Sequence, residues 1–187
     1  NGPGRFGVGP DRCAHLFDGD GLVARFALDE RGVRYRSRFV RTRGFLEETR
    51  AGRLRMRSFG TNPPGGVLGA SLRLQLKNTA NTSVCLHGGT LLALWEAGLP
   101  HALDPRTLET LGPYDFGGAL RPRTWMSRVR GAEAPFAAHP RRDPETGELW
   151  SFGFEVGLRP ALHVYRVSPT GALSRARSIA LPEMCFV

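Results

Sequence analysis

Short apolar runs alternate with polar residues along this chain, and glycine or proline interrupts them every few residues. Residues 22–28 form one such run, residues 29–32 read as a turn, and apolar side chains alternate with Arg in residues 33–40. Successive side chains of a β-strand point to opposite faces, so this alternation predicts a hairpin whose second strand is half-buried. We expect its arginines on the solvent face, with Val33, Tyr35 and Phe39 on the other.

The same pattern recurs further along the chain. Apolar segments meet across Gly- or Pro-containing turns in residues 83–86 with 90–95, in 149–154 after the turn 143–147, and in 162–167 with 173–179. Pro presets φ and Gly accepts positive φ, so both favour such turns. Serial hairpins with little helix predict an all-β fold, and their uneven spacing fits propeller blades better than a sandwich or barrel. A short helix is predicted within residues 45–57 and a loop over residues 120–134.

Arginine carries almost all of the positive charge. The 187 residues contain 26 Lys and Arg against 17 Asp and Glu, a net charge of +9, and Lys77 is the sole lysine. Eleven of the arginines lie within residues 25–57, a density that would suit a phosphate backbone. The chain lacks a helix-turn-helix, a zinc finger and the aromatic pattern of an RNA-recognition motif. We therefore expect a solvated basic face and no nucleic-acid partner.

The cysteines and the hydropathy exclude two further classes. Cys13, Cys85 and Cys185 are far apart and form no C-x-x-C, so we predict buried thiols in a reducing compartment rather than a zinc ribbon or a disulfide scaffold. The chain has no run of 18 apolar residues, so no transmembrane helix is expected.

Two short motifs match well-known patterns without their context. Residues 2–7 spell G-x-G-x-x-G, but no strand precedes them and no helix follows, so an irregular loop is predicted instead of a dinucleotide site. Residues 81–83 spell a glycosylation sequon, which we interpret as chance because no secretory signal is present.

His139 is the one candidate metal ligand among the five histidines. His87, His101 and His163 lie in a turn, a loop and a strand, respectively, which explain them structurally. His139 instead follows two alanines and precedes Pro140. Small neighbours allow close approach, and a neutral imidazole is a good ligand for iron.

Residues 138–140, together with Asp143-Pro-Glu-Thr-Gly-Glu-Leu149 and Phe152-Gly153, resemble the first iron-ligand segment of the carotenoid oxygenases. This family includes carotenoid cleavage dioxygenases, retinoid isomerohydrolases and stilbene-cleaving dioxygenases. Colinear matches cover nearly the whole chain, in residues 15–21, 39–42, 78–82, 92–98 and 103–112.

The resemblance implies a seven-bladed β-propeller with Fe(II) on its axis, held by four His from different blades. It implies that His139 is the first ligand and that Glu96 is a carboxylate that accepts an imidazole N–H, from a His outside these residues rather than from His139. It further implies that residues 15–21 form a turn in which Asp18 and Asp20 bond the local backbone. The implied reaction is O₂-dependent cleavage of a C=C bond in a carotenoid, apocarotenoid or stilbene-like substrate.

The sequence departs from the family pattern at two places. The loop over residues 121–134 is longer than usual, and residues 181–187 correspond to the strand that precedes the second ligand. We therefore interpret residues 1–187 as an N-terminal part of the propeller domain, truncated before the second iron-ligand His. One His cannot hold catalytic iron, so we expect the isolated chain to lack dioxygenase activity. Unpaired sheet edges predict that it is marginally soluble or aggregates.

The full-length protein is expected in the cytoplasm, or in a plastid if the source is a photosynthetic eukaryote, with a peripheral membrane contact. The alternative function is a non-enzymatic propeller fragment or scaffold that binds acidic partners through its Arg-rich face.

Overall fold

The computed structural model describes residues 1–65, 76–122, 132–156 and 160–182. These residues form mainly β-structure, with the α-helix α1 (Arg43–Ala51) and a 3-10 helix (Leu16–Asp18). The strands, in chain order, are β1 (Gly2–Arg5), β2 (Gly7–Val8), β3 (Asp11–Arg12), β4 (Asp20–Asp29), β5 (Gly32–Phe39), β6 (Ser83–His87), β7 (Thr90–Leu94), β8 (His101–Leu103), β9 (Thr110–Pro113), β10 (Arg141–Arg142), β11 (Leu149–Glu155), β12 (Ala161–Val167) and β13 (Leu173–Ala180).

The described strands form antiparallel sheets in a serial arrangement. The first has the order β1-β4-β5, the second β6-β7-β8-β9 and the third β10-β11-β12-β13, while β2 and β3 form a separate pair. The predicted hairpins β4–β5, β6–β7 and β12–β13 are confirmed, as is the turn that precedes β11. Consecutive meanders of this kind agree with the all-β interpretation.

Two apolar cores lie between neighbouring sheets. One joins the first and second sheets, and its buried residues are Val23, Val40, Ala80, Ala93, Leu103 and Leu108. The other joins the second and third sheets and includes Leu92, Leu94, Phe136, Leu149, Tyr165 and Val167. The second sheet therefore has a neighbouring sheet on both faces. The first sheet has the second sheet as one neighbour and helix α1 as the other, where Phe45 stacks on Phe39 of β5.

Helix α1 confirms the predicted short helix, with its own start and stop signals. The hydroxyl of Thr42 accepts a hydrogen bond from the backbone N–H of Phe45 at 3.2 Å, which caps the first turn. Gly52 ends the helix with φ of 64°, a left-handed conformation that glycine adopts at low cost. The helix is thus shorter than the predicted window.

Strand β5 differs from the expectation of a half-buried strand. Its arginines do alternate with apolar residues, but Val33 is 64% and Tyr35 60% exposed. No described residue covers the apolar face of the outer half of this hairpin. Periodicity separated the two faces of the strand, but the prediction that Val33 and Tyr35 lie on a buried face is wrong, because burial depends on what packs against a face.

Two further expectations on local structure are wrong. Asp18 accepts hydrogen bonds from the Gly60 N–H and the Thr61 hydroxyl, at 3.0 and 2.6 Å, rather than from the local backbone. Asp20 forms ion pairs with Arg5 and Lys77. The predicted loop at residues 2–7 is in part strand β1, which pairs with β4.

Some predictions lie outside the described residues: Cys185, residues 183–187 and much of the predicted loop 120–134. Among the helices of the described part, none is long and apolar enough to span a membrane.

Candidate metal centre

His139 lies at the junction of the second and third sheets, just before β10. The segment that precedes it is buried and anchored to both sheets. The Phe136 N–H donates to the Gly98 carbonyl at 3.3 Å, and the Ala137 N–H donates to the Phe152 carbonyl at 2.7 Å. The Ser83 hydroxyl, at the start of β6, donates to the Ala138 carbonyl. The backbone is therefore held on both sides up to the residue before the imidazole.

Close packing explains why alanines precede His139. Ala137 and Ala138 are 1% and 0% exposed, so larger side chains would have to displace their neighbours. The imidazole of His139 is by contrast 66% exposed. The sequence-based argument that small neighbours permit close approach thus agrees with the structure, although the neighbour approached is the protein itself.

Glu96 lies directly beside His139. It follows β7 by two residues, and its Oε2 accepts a hydrogen bond from the Ala138 N–H at 3.1 Å. Its Oε1 lies 3.2 Å from Nε2 of His139. The expectation was that Glu96 serves a His outside these residues rather than His139; the structure pairs it with His139 itself. A role toward a second His stays a prediction.

The pair is open to solvent, which limits its own energetic contribution. The Glu96 side chain is 48% exposed, and exposed ion pairs contribute little to stability. An exposed imidazole beside a carboxylate instead offers the two donor types that hold and orient a transition metal.

A cleft of about 190 Å³ adjoins the imidazole. It is lined by Ser83, Val84, Cys85, Ala138, His139, Pro140 and Arg141. Burial raises the pKa of the Cys85 thiol, and nearby Arg142 opposes this shift. Cys85 is thus protonated near pH 7 in the absence of a metal ion.

The described residues do not complete a metal site. They contain no group of three or more His, Cys, Asp or Glu side chains that could hold an ion. A site at His139 needs further ligands, as the family resemblance implies. The assignment of His139 as a ligand therefore stays a prediction.

The other four histidines have structural surroundings, as predicted. His15 accepts a hydrogen bond from the Phe17 N–H and caps the 3-10 helix. His87 contacts the Ser168 carbonyl at 2.7 Å and links the second sheet to the third. His163 lies between Ser178 and Glu155, at 2.9 and 3.0 Å. Burial lowers the pKa of His101 to about 4, although a backbone hydrogen bond at Leu99 opposes this shift, so its imidazole is neutral near pH 7.

Two asparagines that the sequence analysis placed only within a motif support the junction of the sheets. Asn78 donates to the Leu99 carbonyl and to the Glu133 carboxylate, at 2.9 and 2.7 Å. Asn81 donates to the carbonyls of Phe17 and Gly19 and is 5% exposed. Its amide is occupied and buried, which agrees with the interpretation of the sequon as chance.

A buried ionic cluster was not predicted from the sequence. Lys77 lies 2.8 Å from Asp20 and 2.7 Å from Glu48, and the three side chains are at most 1% exposed. Arg5 contacts Asp20 from the other side. The available signal was the isolation of Lys77 in a chain that otherwise uses Arg.

Comparison with known proteins supports the inferred fold. The family model "Retinal pigment epithelial membrane protein" matches residues 1–187. The cobalt-substituted apocarotenoid oxygenase of Synechocystis superposes on 99% of this chain with a TM-score of 0.83 and 38% identity, and the match covers 38% of that chain. The structure thus belongs to the seven-bladed propeller type.

Curated relatives agree over most of the chain. Apocarotenoid-15,15'-oxygenase of Synechocystis is 39% identical over 100% of this chain and 38% of its own length. Resveratrol cleavage oxygenase 1 of Aspergillus fumigatus is 36% identical over 91% of this chain and 32% of its own length. Isoeugenol monooxygenase of Pseudomonas nitroreducens is 37% identical over 96% of this chain and 35% of its own length.

The chain spans about a third of the length of these relatives, between 32% and 38%, and matches their N-terminal portion. The match over the whole chain, together with the meander sheets and the position of His139, shows that the chain belongs to the Retinal pigment epithelial membrane protein family, the family of the carotenoid oxygenases.

Proposed function

We propose that this chain is part of a non-haem Fe(II) dioxygenase that cleaves a conjugated C=C bond with O₂. The observation that carries the proposal is the exposed imidazole of His139 beside Glu96, held at the junction of two sheets by a buried backbone. A rigid backbone with an accessible donor is the arrangement that a metal ligand requires.

The residues present fit iron as part of its site. His139 would hold the metal, because a neutral imidazole is a preferred ligand of Fe(II). Glu96 would orient an imidazole by accepting its N–H, either that of His139 or that of a His outside these residues. Bound Fe(II) would supply the activation of O₂, and the remaining ligands would come from polypeptide outside the described residues.

The role of this chain's own residues is to place the ligand. Hydrogen bonds from Ala137 to Phe152 and from Ser83 to Ala138 fix the segment before His139 on two sheets. Glu96 is tied to the same segment through the Ala138 N–H. The carboxylate and the residue before the ligand are therefore joined directly.

The names of the relatives support the substrate class. They refer to an apocarotenoid, to resveratrol and to isoeugenol. We infer an apolar polyene or a stilbene-like substrate. Both bonds of one C=C would break and each carbon would take one oxygen atom of O₂, so that two carbonyl products form without an external reductant.

We further propose a peripheral membrane contact for the full-length protein, because polyenes dissolve in membranes. Its expected location is the cytoplasm, or a plastid if the source is a photosynthetic eukaryote.

The test uses the full-length protein that contains this chain, and it measures bound iron and products separately. We expect stoichiometric iron by mass spectrometry, O₂ uptake and two carbonyl products from an apocarotenoid or a stilbene. His139→Ala should lose iron and activity with its far-UV circular dichroism unchanged. The matched control is His15→Ala, which removes an imidazole from a surface turn and should retain iron.

Retention of iron by His139→Ala would refute the ligand assignment. Absence of iron from the unmodified protein after anaerobic Fe(II) loading would refute the proposed enzyme and favour the scaffold alternative.

A further inference from the structure

A cleft of about 410 Å³ lies where the first sheet, helix α1 and the second sheet meet. The end of β5, helix α1 and residues 108–110, at the start of β9, form its walls. Its volume falls within the range of about 300–1,000 Å³ that is typical of small-molecule sites. The cleft is separate from the candidate metal centre, which lies at the junction of the second and third sheets.

The more buried part of the cleft lining is apolar. Phe39 and Phe45 stack with their ring centroids 5.7 Å apart, and Leu46 and Leu108 line the same space. The guanidinium of Arg5 covers the Phe45 ring at 3.9 Å from its centroid. Leu108 is buried and belongs to the core between the first and second sheets. These contacts hold the apolar lining in place before any ligand binds, which lowers the entropic cost of binding.

The exposed part of the lining is basic. It contains the guanidinium groups of Arg38, Arg41 and Arg50, against the carboxylate of Glu109. Within the described part of the chain, these three arginines form no ion pair with a carboxylate. The dipole of α1 favours a cation at Arg50, in its last turn, but gives no reason for Arg41. An anion among these side chains would relieve their mutual repulsion.

Hydrogen bonds join the two walls of the cleft. Nε of Arg38 donates to the Thr107 carbonyl at 2.9 Å, and the N–H of Arg41 donates to the Thr110 hydroxyl at the same distance. The bond through Nε leaves the terminal N–H groups of Arg38 for other acceptors. A guanidinium that is held in this way loses less conformational entropy when it binds an anion.

We propose that this cleft is a binding site for an organic oxyanion with an apolar body. The headgroup, a carboxylate or a phosphate monoester, lies among Arg38, Arg41 and Arg50, since guanidinium groups bind both through paired, charge-assisted hydrogen bonds. The apolar body lies on Phe45 and Leu46. An acidic peptide fits less well, because its backbone would place polar groups on the apolar lining without partners. The proposal rests on this cleft and not on the iron site or the proposed reaction.

Isothermal titration calorimetry of the full-length protein tests the proposal. The probes are decanoate and decyl phosphate, each below its micelle concentration, and we expect at least one of them to bind. Decanol lacks the charge, whereas acetate and inorganic phosphate lack the apolar body, so all three should bind at least about tenfold more weakly. A preference for one of the two amphiphiles identifies the headgroup.

Two charge-matched double variants locate the bound anion. Arg41→Gln with Arg50→Gln should weaken binding of the amphiphile about tenfold or more, because its headgroup loses charge-assisted contacts. Arg25→Gln with Arg36→Gln removes the same charge from the β4–β5 hairpin outside the cleft. It should change the affinity by less than about twofold, since distant exposed charges are screened. The Tm without ligand should be the same for both double variants and the unmodified protein.

Three results would overturn the proposal. The first is that neither amphiphile binds, or that the two double variants bind it equally well. The second is that inorganic phosphate binds as tightly as decyl phosphate, because the apolar lining would then have no role. The third is that the unmodified protein binds no amphiphile while Arg41→Gln with Arg50→Gln lowers the Tm by several degrees; this result would assign the cleft to an acidic segment of the same protein.

Discussion

Replacement of Lys77 should destabilise the protein more than any surface charge change. Its ammonium lies between the carboxylates of Asp20 and Glu48, at 2.8 and 2.7 Å, and all three side chains are at most 1% exposed. Arg5 also pairs with Asp20, so the cluster contains two cations and two anions. Removal of one cation leaves a net negative charge in a site without water access.

The expected cost follows from that imbalance. Breaking a buried ion pair by removing one partner costs about 3–5 kcal/mol. Asp20 keeps Arg5, and Glu48 keeps hydrogen bonds from the N–H groups of Arg55 and Met56 at 3.0 and 3.1 Å. Because these partners remain, we expect Lys77→Met to lower the unfolding free energy by an amount near the lower end of this range, roughly 3 kcal/mol.

We expect that retention of the charge does not restore stability, because a guanidinium is larger than an ammonium and the three side chains of the cluster are at most 1% exposed. A Cβ on Gly44 would lie 2.8 Å from Cγ of Lys77, so the stem of the side chain already contacts the helix backbone. Overpacking of a closed site costs about 1–3 kcal/mol. Lys77→Arg should therefore also destabilise, which would explain why one lysine persists in a chain that otherwise uses Arg.

The assay is urea unfolding of the full-length protein, monitored by tryptophan fluorescence and circular dichroism. The matched control is Arg34→Lys, at an ion pair with Asp29 of similar length, 2.8 Å, but with Arg34 75% exposed. It should change the unfolding free energy by less than about 0.5 kcal/mol. The double variant Lys77→Met with Glu48→Gln should cost less than the sum of the single variants. A change below about 1 kcal/mol for Lys77→Met would refute the reasoning.

Two other predictions concern the second sheet and its neighbour. Burial lowers the pKa of His101 to about 4 from 6.5, so the unfolded chain takes up a proton as pH falls below 6.5 while the folded chain does not. The contribution of His101 to the free energy of unfolding is fully present above pH 6.5 and falls by about 3 kcal/mol as the pH decreases to 4. His101→Gln should flatten this part of the dependence of the unfolding free energy on pH. An unchanged dependence would contradict the lowered pKa of His101. Gly21→Ala should destabilise the protein by at least about 2 kcal/mol, because a Cβ at this position would lie 2.2 Å from the Ala80 carbonyl oxygen. A Tm within one degree of that of the unmodified protein would contradict this prediction and show that the backbones at Gly21 and Ala80 can move apart.

Local sequence patterns were sufficient to predict the strands and turns, but not the side chains that contact each other across the fold. The turns at 29–32, 87–89, 143–147 and 168–171 were readable because Gly and Pro act on their own backbone. The partners of Asp18 lie 42 and 43 residues away, at Gly60 and Thr61, and no local rule connects them. The same applies to Lys77 and Glu48, which are 29 residues apart.

The candidate site shows the same division. Colinear motifs identified the family, and with it His139 and Glu96, because motif order is a property of the sequence. The contact of Glu96 with His139 could not be predicted in this way, since it depends on how the end of β7 meets the start of β10.

The sequence by itself determined the hairpins, the division of β5 into two faces, the all-β class and the family, because alternation, turn residues and motif order can be read from short segments. Only the tertiary structure decided which of those faces is covered, which carboxylates meet Lys77, and that His139 projects from a buried backbone next to Glu96. The physical reason is that burial and ion pairing are properties of the space between sheets, and that space is formed by residues tens of positions apart.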